Sequence, residues 1–303
     1  MIKISSWKSY RANELSRTSL NSSYNATFTF IDQYDDRSSW SSKYIDSVSE
    51  DIITLDYCHA ETALVISGEK FNLFDLQKYD IPEGKILVDS TSLALPELMH
   101  LFSILNNKKK SFDVMYVQPN NYTMSKPQGL KATQSFDLSD DGEGIQQLQP
   151  YVNFSNNTVI FYFLGWEGHR LGGLINSEEY FSRNITCLVG IPPFKTSWDY
   201  KILSSNYSQL SELSNITTPR FKYAGANDPI KTYEIIEQVY KSACYSQQSL
   251  SLAPLGTKPA TIAAAQFAVN NPRLIMLYDF VKKKIKRSSG ADIVHIWSFD
   301  YED

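Results

Sequence analysis

The chain has 303 residues, 42% of them hydrophobic and 20% charged, with a formal net charge of -4. These proportions suit a globular protein with a sizeable core, and the slight excess of acid argues against a chain-wide polyanion binder. The three cysteines, Cys58, Cys187 and Cys244, lie far apart with no C-x-x-C pair, which argues against both a disulfide framework and a cysteine zinc site.

No apolar run approaches the roughly 20 residues that a membrane helix needs. The opening MIKISSWKSYRANELS lacks the apolar core of a signal peptide. The expectation is a cytoplasmic protein without membrane contact. On that reading, triplets such as Asn25-Ala26-Thr27 and Asn184-Ile185-Thr186 follow from heavy Asn and Ser usage and are not glycan sites. The same bias, with many Tyr and Ile, suggests an AT-rich bacterial genome.

Residues 1–60 are rich in Ser, Tyr and Trp and show little periodicity beyond the alternating ATFTFID (26–32), so an irregular N-terminal subregion is expected there. TALVIS (62–67) reads as a strand and LFDLQKYDIPEG (73–84) as a short helix and turn. From Lys85 the pattern sharpens. KILVD is an apolar strand closed by an acid, Pro96 opens an apolar-periodic helix ending at Asn106-Asn107, and SFDVMYVQP (111–119) is the next strand.

Strand and helix then alternate. TVIFYFLG (158–165), NITCLVGIPP (184–193), RFKYAG (220–225), SLSLAP (249–254), RLIMLYDF (273–280) and DIVHIWSF (292–299) read as strands. WEGHRLGGLI (166–175), TSWDYKILSSNYSQLSEL (196–213), PIKTYEIIEQVYKSA (229–243) and the alanine-rich segment after Lys258 read as helices. Such alternation predicts an α/β protein with a Rossmann-like, doubly wound, mostly parallel sheet over 61–303, divided into halves at 61–145 and 146–303. SKPQGLKATQSFDLSDDGEGIQ (125–146) would be the connection. The last strand is expected to run antiparallel through the KKKIKRSSG turn. Segments 86–107 and 250–271 share one layout, strand, small polar loop, proline-initiated helix and Asn-Asn, either as a unit used twice or as a duplication.

In parallel sheets, ligands bind beyond the carboxyl ends of the strands. Four loops qualify: Asp89-Ser90-Thr91, the one from Gly165 to Arg170, the one from Gly225 to Asp228 with Asn227, and Leu255-Gly256-Thr257-Lys258. The last fits an anion best. Glycine permits close backbone approach, threonine offers a hydroxyl, and lysine adds charge to a helix N-terminus. A plain helix start with a solvated lysine accounts for the same residues. Glu167 and Asp89 are candidate acids or bases, and Arg170 a phosphate holder; a solvated first turn is the simpler account of Glu167. His59, His100, His169 and His295 are scattered, so no metal site is expected, and neither a G-x-S-x-G elbow nor a G-x-G-x-x-G loop is present. The basic run Lys282–Arg287 could touch nucleic acid or form a solvated turn.

Leu-Gly-Thr-Lys-Pro after an apolar strand resembles the G-G-T-K-x-M loop of CARF domains, the CRISPR-associated Rossmann folds. The match is carried by Gly256, Thr257 and Lys258, with Leu255 in place of the first glycine and Ala260 in place of the methionine. The resemblance implies a loop on a homodimer axis that holds the phosphate-ribose backbone of a cyclic oligoadenylate, with Asp89, Ser90 and Thr91 as a second ligand loop. It further implies prokaryotic antiviral defence. Arg287 and His295 have seven residues between them, outside the spacing of a HEPN ribonuclease, and Glu83-Gly84-Lys85 precedes its strand, so an effector would be a separate chain, an ATPase or a nuclease. The expected function is a non-catalytic nucleotide- or phosphate-binding sensor or adaptor without a cofactor. A nucleotide-processing enzyme and a structural subunit with a degenerate site are the alternatives.

Overall fold

The computed structural model describes residues 1–15, 23–123, 138–140, 144–152, 157–177 and 184–302. In chain order the elements are β1 (Ile2–Arg11), β2 (Tyr24–Thr29), α1 (Asp36–Val48), β3 (Ser49–Cys58), β4 (Ala63–Ile66), β5 (Glu69–Asn72), β6 (Ile86–Asp89), α2 (Leu95–Asn107) and β7 (Phe112–Tyr122). Next come β8 (Ser139–Asp140), β9 (Ile145–Gln147), β10 (Thr158–Phe163), α3 (Gly168–Ile175), β11 (Ile185–Gly190), α4 (Trp198–Ser205), α5 (Tyr207–Ile216) and β12 (Arg220–Ala224). The chain closes with α6 (Pro229–Tyr245), β13 (Ser249–Ala253), α7 (Lys258–Asn270), β14 (Ile275–Asp279), β15 (Lys282–Lys283) and β16 (Ser288–Tyr301). The connection expected over 125–146 lies largely outside the described residues.

Two units divide the chain, Met1–Tyr122 with Ile285–Asp303, and Thr123–Lys284. This partition differs from the expected halves because the C-terminal strand returns to the first unit, where β16 pairs antiparallel with both β1 and β7. The antiparallel course expected of this strand is present, but its partners belong to the N-terminal part of the chain rather than to β14.

The first unit holds an eight-stranded mixed sheet in the order β1-β16-β7-β6-β2-β3-β4-β5. Its centre, β7-β6-β2-β3, is parallel, and the flanking pairs are antiparallel. A single, mostly parallel sheet is therefore not what forms. The irregular subregion expected over 1–60 is likewise corrected, since those residues supply β1, β2, α1 and β3. Two physical causes hid them. β1 is an edge strand with mostly exposed side chains, and α1 is serine-rich, with an apolar stripe reduced to Trp40, Tyr44, Ile45 and Val48. That stripe still follows helical spacing and packs Tyr44, Ile45 and Val48 against Leu87, Met115, Val117, Val294 and Ile296. The alternate residues of the same strands, Phe112 and Phe299, face the other way and receive Phe102 of α2, with ring centroids 5.1 and 5.3 Å away. Each such ring contributes about 2–3 kcal/mol by burial.

The second unit holds a six-stranded sheet in the order β12-β11-β10-β13-β14-β9, parallel except for the edge strand β9, and a two-stranded pair β15-β8. Leu171 and Leu174 of α3, Ile202 of α4 and Leu213 of α5 pack with Ile160, Tyr162, Cys187 and Val189. Phe161, Phe163, Leu188 and Leu252 alternate to the other face of the sheet. α6 and α7 pack together, with Tyr233 and Tyr240 edge-on to Phe267 at 5.0 and 5.6 Å.

Candidate functional site

Within the first unit the chain passes from β2 outward to β3, then returns to β6 on the other side of β2. The connections leaving β2 and β6 therefore diverge, and a crevice opens beyond the carboxyl ends of these two strands. A cavity of about 200 Å³ lies there, with Thr29, Asp32, Ser42, Asp46, Asp89 and Ser92 among its walls. β2, which alternates polar and apolar residues, ends on Phe28-Thr29, and the apolar run of β6 ends on Val88-Asp89, which puts a hydroxyl and a carboxylate at the mouth.

Asp89 is 1% exposed and knits this mouth together. Its Oδ1 accepts from the Thr91 N–H at 3.0 Å, and its Oδ2 accepts from Thr29 Oγ1 at 3.0 Å and Ser92 Oγ at 2.9 Å. Ser92 Oγ also accepts from the Phe30 N–H at 3.0 Å. Ser90 and Thr91 turn away from the crevice. Ser90 Oγ donates to the Met115 carbonyl at 2.7 Å, and Thr91 Oγ1 accepts from the Val117 N–H at 3.0 Å, fastening the loop to β7. Of the predicted loop, Asp89 lines the cavity while Ser90 and Thr91 brace it. The outer carboxylates, Asp32 and Asp46, are exposed. Tyr34 Oη donates to Asp32 Oδ2 at 3.4 Å.

In the second unit, strand order reverses between β10 and β13. Here the loops close on each other. A Cβ on Gly165 would come within 2.5 Å of the Leu255 carbonyl oxygen, and one on Gly256 within 3.0 Å of the Leu164 carbonyl oxygen. Glycine at both positions lets the two backbones touch. Thr257 is the N-cap of α7; its Oγ1 accepts from the Ala260 N–H and donates to the Ala226 carbonyl at 2.9 Å. That bond brings the Asn227 loop beside the Thr257 loop. Lys258, half-buried, is the first residue of α7.

Glu167 and Arg170 come together at the start of α3. Glu167 Oε1 accepts from the Leu138 and Ser139 N–H groups at 3.0 Å each and from Ser139 Oγ at 2.7 Å, while Oε2 pairs with Arg170 Nη2 at 2.7 Å. Arg170 Nε reaches Asp279 Oδ2 at 3.3 Å. Burial raises the Asp279 carboxyl above its ordinary value, against the opposing pull of Arg170. This is a buried acid–base–acid lattice in which the Glu167 oxygens are occupied and Asp279 is ion-paired with Arg170, an arrangement suited to holding β14 and α3 in place.

The predicted residues thus fall into three groups: Asp89, Ser90 and Thr91; Asn227, Gly256, Thr257 and Lys258; and Glu167 with Arg170. Sequence reading missed Thr29, Ser92 and Asp279, each an ordinary strand-end or loop residue, and Asp35 and Arg37 at the start of α1. The Asp35-x-x-Ser38 spacing of a helix cap was the available signal for Asp35. Among the described residues no group of three or more His, Cys, Asp or Glu side chains could hold a metal ion, and no helix is long and apolar enough to cross a membrane. No family model, curated protein or solved structure matches the chain.

Proposed function

We propose that this chain is a non-catalytic binding protein of two Rossmann-like, doubly wound units, and that the first unit holds a nucleotide at the β2–β6 crevice. The cavity between the carboxyl ends of these strands carries the reading. At about 200 Å³ it is smaller than the roughly 300–1,000 Å³ of most ligand pockets, so it takes one part of the ligand, a sugar or a base. Asp32 and Asp46 on its wall suit hydroxyl or amino donors, and they repel phosphate. Binding is favoured over catalysis because the two candidate carboxylates, Asp89 and Glu167, both have their oxygens committed to donors inside the protein. The likeness of Gly256-Thr257-Lys258 to the CARF loop supports a cytoplasmic role in prokaryotic antiviral defence, as a homodimer or beside an ATPase or nuclease in another chain.

The test is a thermal-shift panel of linear and cyclic nucleotides, cyclic oligoadenylates included, on the native chain and on Ser42→Trp, which fills the cavity. A nucleotide that raises the melting temperature of the native chain and not of Ser42→Trp supports the reading. A panel without any rise, or a rise that Ser42→Trp retains, contradicts it.

A further inference from the structure

We infer that Arg37 and Arg287 form an anion seat beside the N-terminus of α1, built to take a phosphoryl group. Three segments make it. Asp35 caps α1, Arg37 follows in the first turn, and the 286–290 turn is fastened alongside. That turn is held at three points: the Lys286 N–H donates to the Tyr34 carbonyl at 2.6 Å, Ser288 Oγ to Asp35 Oδ2 at 2.6 Å, and the Gly290 N–H to Asp36 Oδ2 at 2.8 Å. Lys286 and Gly290 take positive φ, 59° and 67°, to make the bend.

Of the two carboxylates in this corner, Asp36 accepts from the Gly290 N–H and only Asp35 is within ion-pairing distance of the two arginines. Asp35 Oδ2 accepts from Arg37 Nε at 3.2 Å, Arg37 Nη2 at 2.7 Å and Ser288 Oγ at 2.6 Å, and Oδ1 accepts from the Arg37 and Ser38 N–H groups at 3.2 Å each. With the Ser38 hydroxyl 3.5 Å from Oδ1, six donor contacts exceed the roughly four lone-pair positions of a carboxylate. Arg287 Nε stands 3.8 Å from Asp35 Oδ2, beyond hydrogen-bonding range, and is buried without a partner. Asp35 is the one carboxylate within ion-pairing distance of either arginine among the described residues. The Tyr116 phenol is held well above its ordinary value by burial, so it stays neutral and offsets neither cation. Burial, with the Arg37 charge behind it, also pulls Arg287 below its ordinary value. Two guanidiniums share one saturated carboxylate, and the forked donors of Arg287 match the oxygens of a phosphoryl group. With 20% of its side chain exposed, against 4% for Arg37, Arg287 is the open side of the seat.

The inference deepens the binding reading and takes its ligand class from it. The Tyr34 hydroxyl reaches Asp32 on the cavity wall, and the Tyr34 carbonyl receives the turn that carries Arg287. Tyr34 thus links the wall of the crevice to the turn that carries Arg287.

Inorganic pyrophosphate is the probe, with sodium chloride at matched ionic strength as reference and melting temperature as readout. The native chain is expected to gain roughly 3 °C at ten times the dissociation constant, Arg287→Lys to keep part of the gain, and Arg287→Met to lose it. Without anion, Arg287→Met should melt at or above the native temperature, because it relieves the repulsion of Arg37. The seat is refuted if pyrophosphate raises neither protein, raises both equally, or if Arg287→Met alone melts several degrees lower. The two proposals fail separately. Nucleotide shifts that survive in Arg287→Met overturn the seat and leave the crevice, whereas a pyrophosphate shift lost in Arg287→Met with no nucleotide shift overturns the crevice and leaves the seat.

Discussion

Thr29 Oγ1 donates to Asp89 Oδ2 at 3.0 Å, tying the end of β2 to the end of β6 at the point where strand order reverses. Asp89 is therefore a structural acid at the mouth of the crevice. Replacing it with alanine leaves the Thr91 N–H without its acceptor and the Thr29 and Ser92 hydroxyls with each other alone as side-chain partner, and a loss of about 2 kcal/mol in urea unfolding is expected. Asp89→Asn retains one acceptor and should lose about half as much. An Asp89→Asn protein of native stability would place this carboxylate outside the framework described here.

Glycines 165 and 173 make an internal contrast. A Cβ at Gly165 collides with the Leu255 carbonyl at 2.5 Å, while one at Gly173 meets nothing within 4 Å. Gly165→Ala is expected to destabilise by about 1–3 kcal/mol through overpacking, and Gly173→Ala, on the exposed face of α3, to stabilise by about 0.5–1 kcal/mol. Denaturant midpoints of the two variants check both signs at once.

Acid should weaken the first unit in two stages. Burial lowers His100 and His295 to about 4, against about 6.5 for the ordinary side chain. His100 stacks on Tyr57, and His295 lies among Trp7, Tyr116 and Trp297, bonded to Ser9 at 2.8 Å. Between these values the unfolded chain binds protons that the folded chain refuses, so stability falls as pH drops from about 6.5 to about 4, by up to about 3 kcal/mol for each histidine. Asp35 acts lower. Burial pushes its carboxyl up, but the charge and bonds of Arg37 and the Ser288 bond outweigh that and hold it at about 2. Its contribution is present above pH 4 and lost as pH falls toward 2. Urea titrations at pH 7, 5 and 4 should show the first stage, and His295→Gln should reduce its slope by about half, His100 supplying the rest; an unchanged slope contradicts the assignment.

The legible parts of the fold were those whose physics is local. β6, β10 and β11 are largely apolar runs, β13 alternates serine with leucine, and α2, α6 and α7 begin at or next to proline, so their existence and limits follow from composition and punctuation. β1 was hidden because an exposed edge strand needs no apolar face, and α1 because serine fills all but one stripe. The return of β16 to the first sheet is a long-range pairing, which no window of sequence contains. Among site residues, Asp89 and Gly256 were visible as strand-end acid and loop glycine. Their partners were not, because Thr29 meets Asp89, and Gly165 meets Leu255, only after parallel strands bring distant loops together.

Hydrogen exchange on the native chain with and without a cyclic oligoadenylate or ATP locates a bound nucleotide most directly. The account predicts slowed exchange at residues 29–33, 42–46 and 89–92, around the β2–β6 crevice. Protection confined to the Gly256–Lys258 loop, or no protection anywhere at saturating nucleotide, would contradict it.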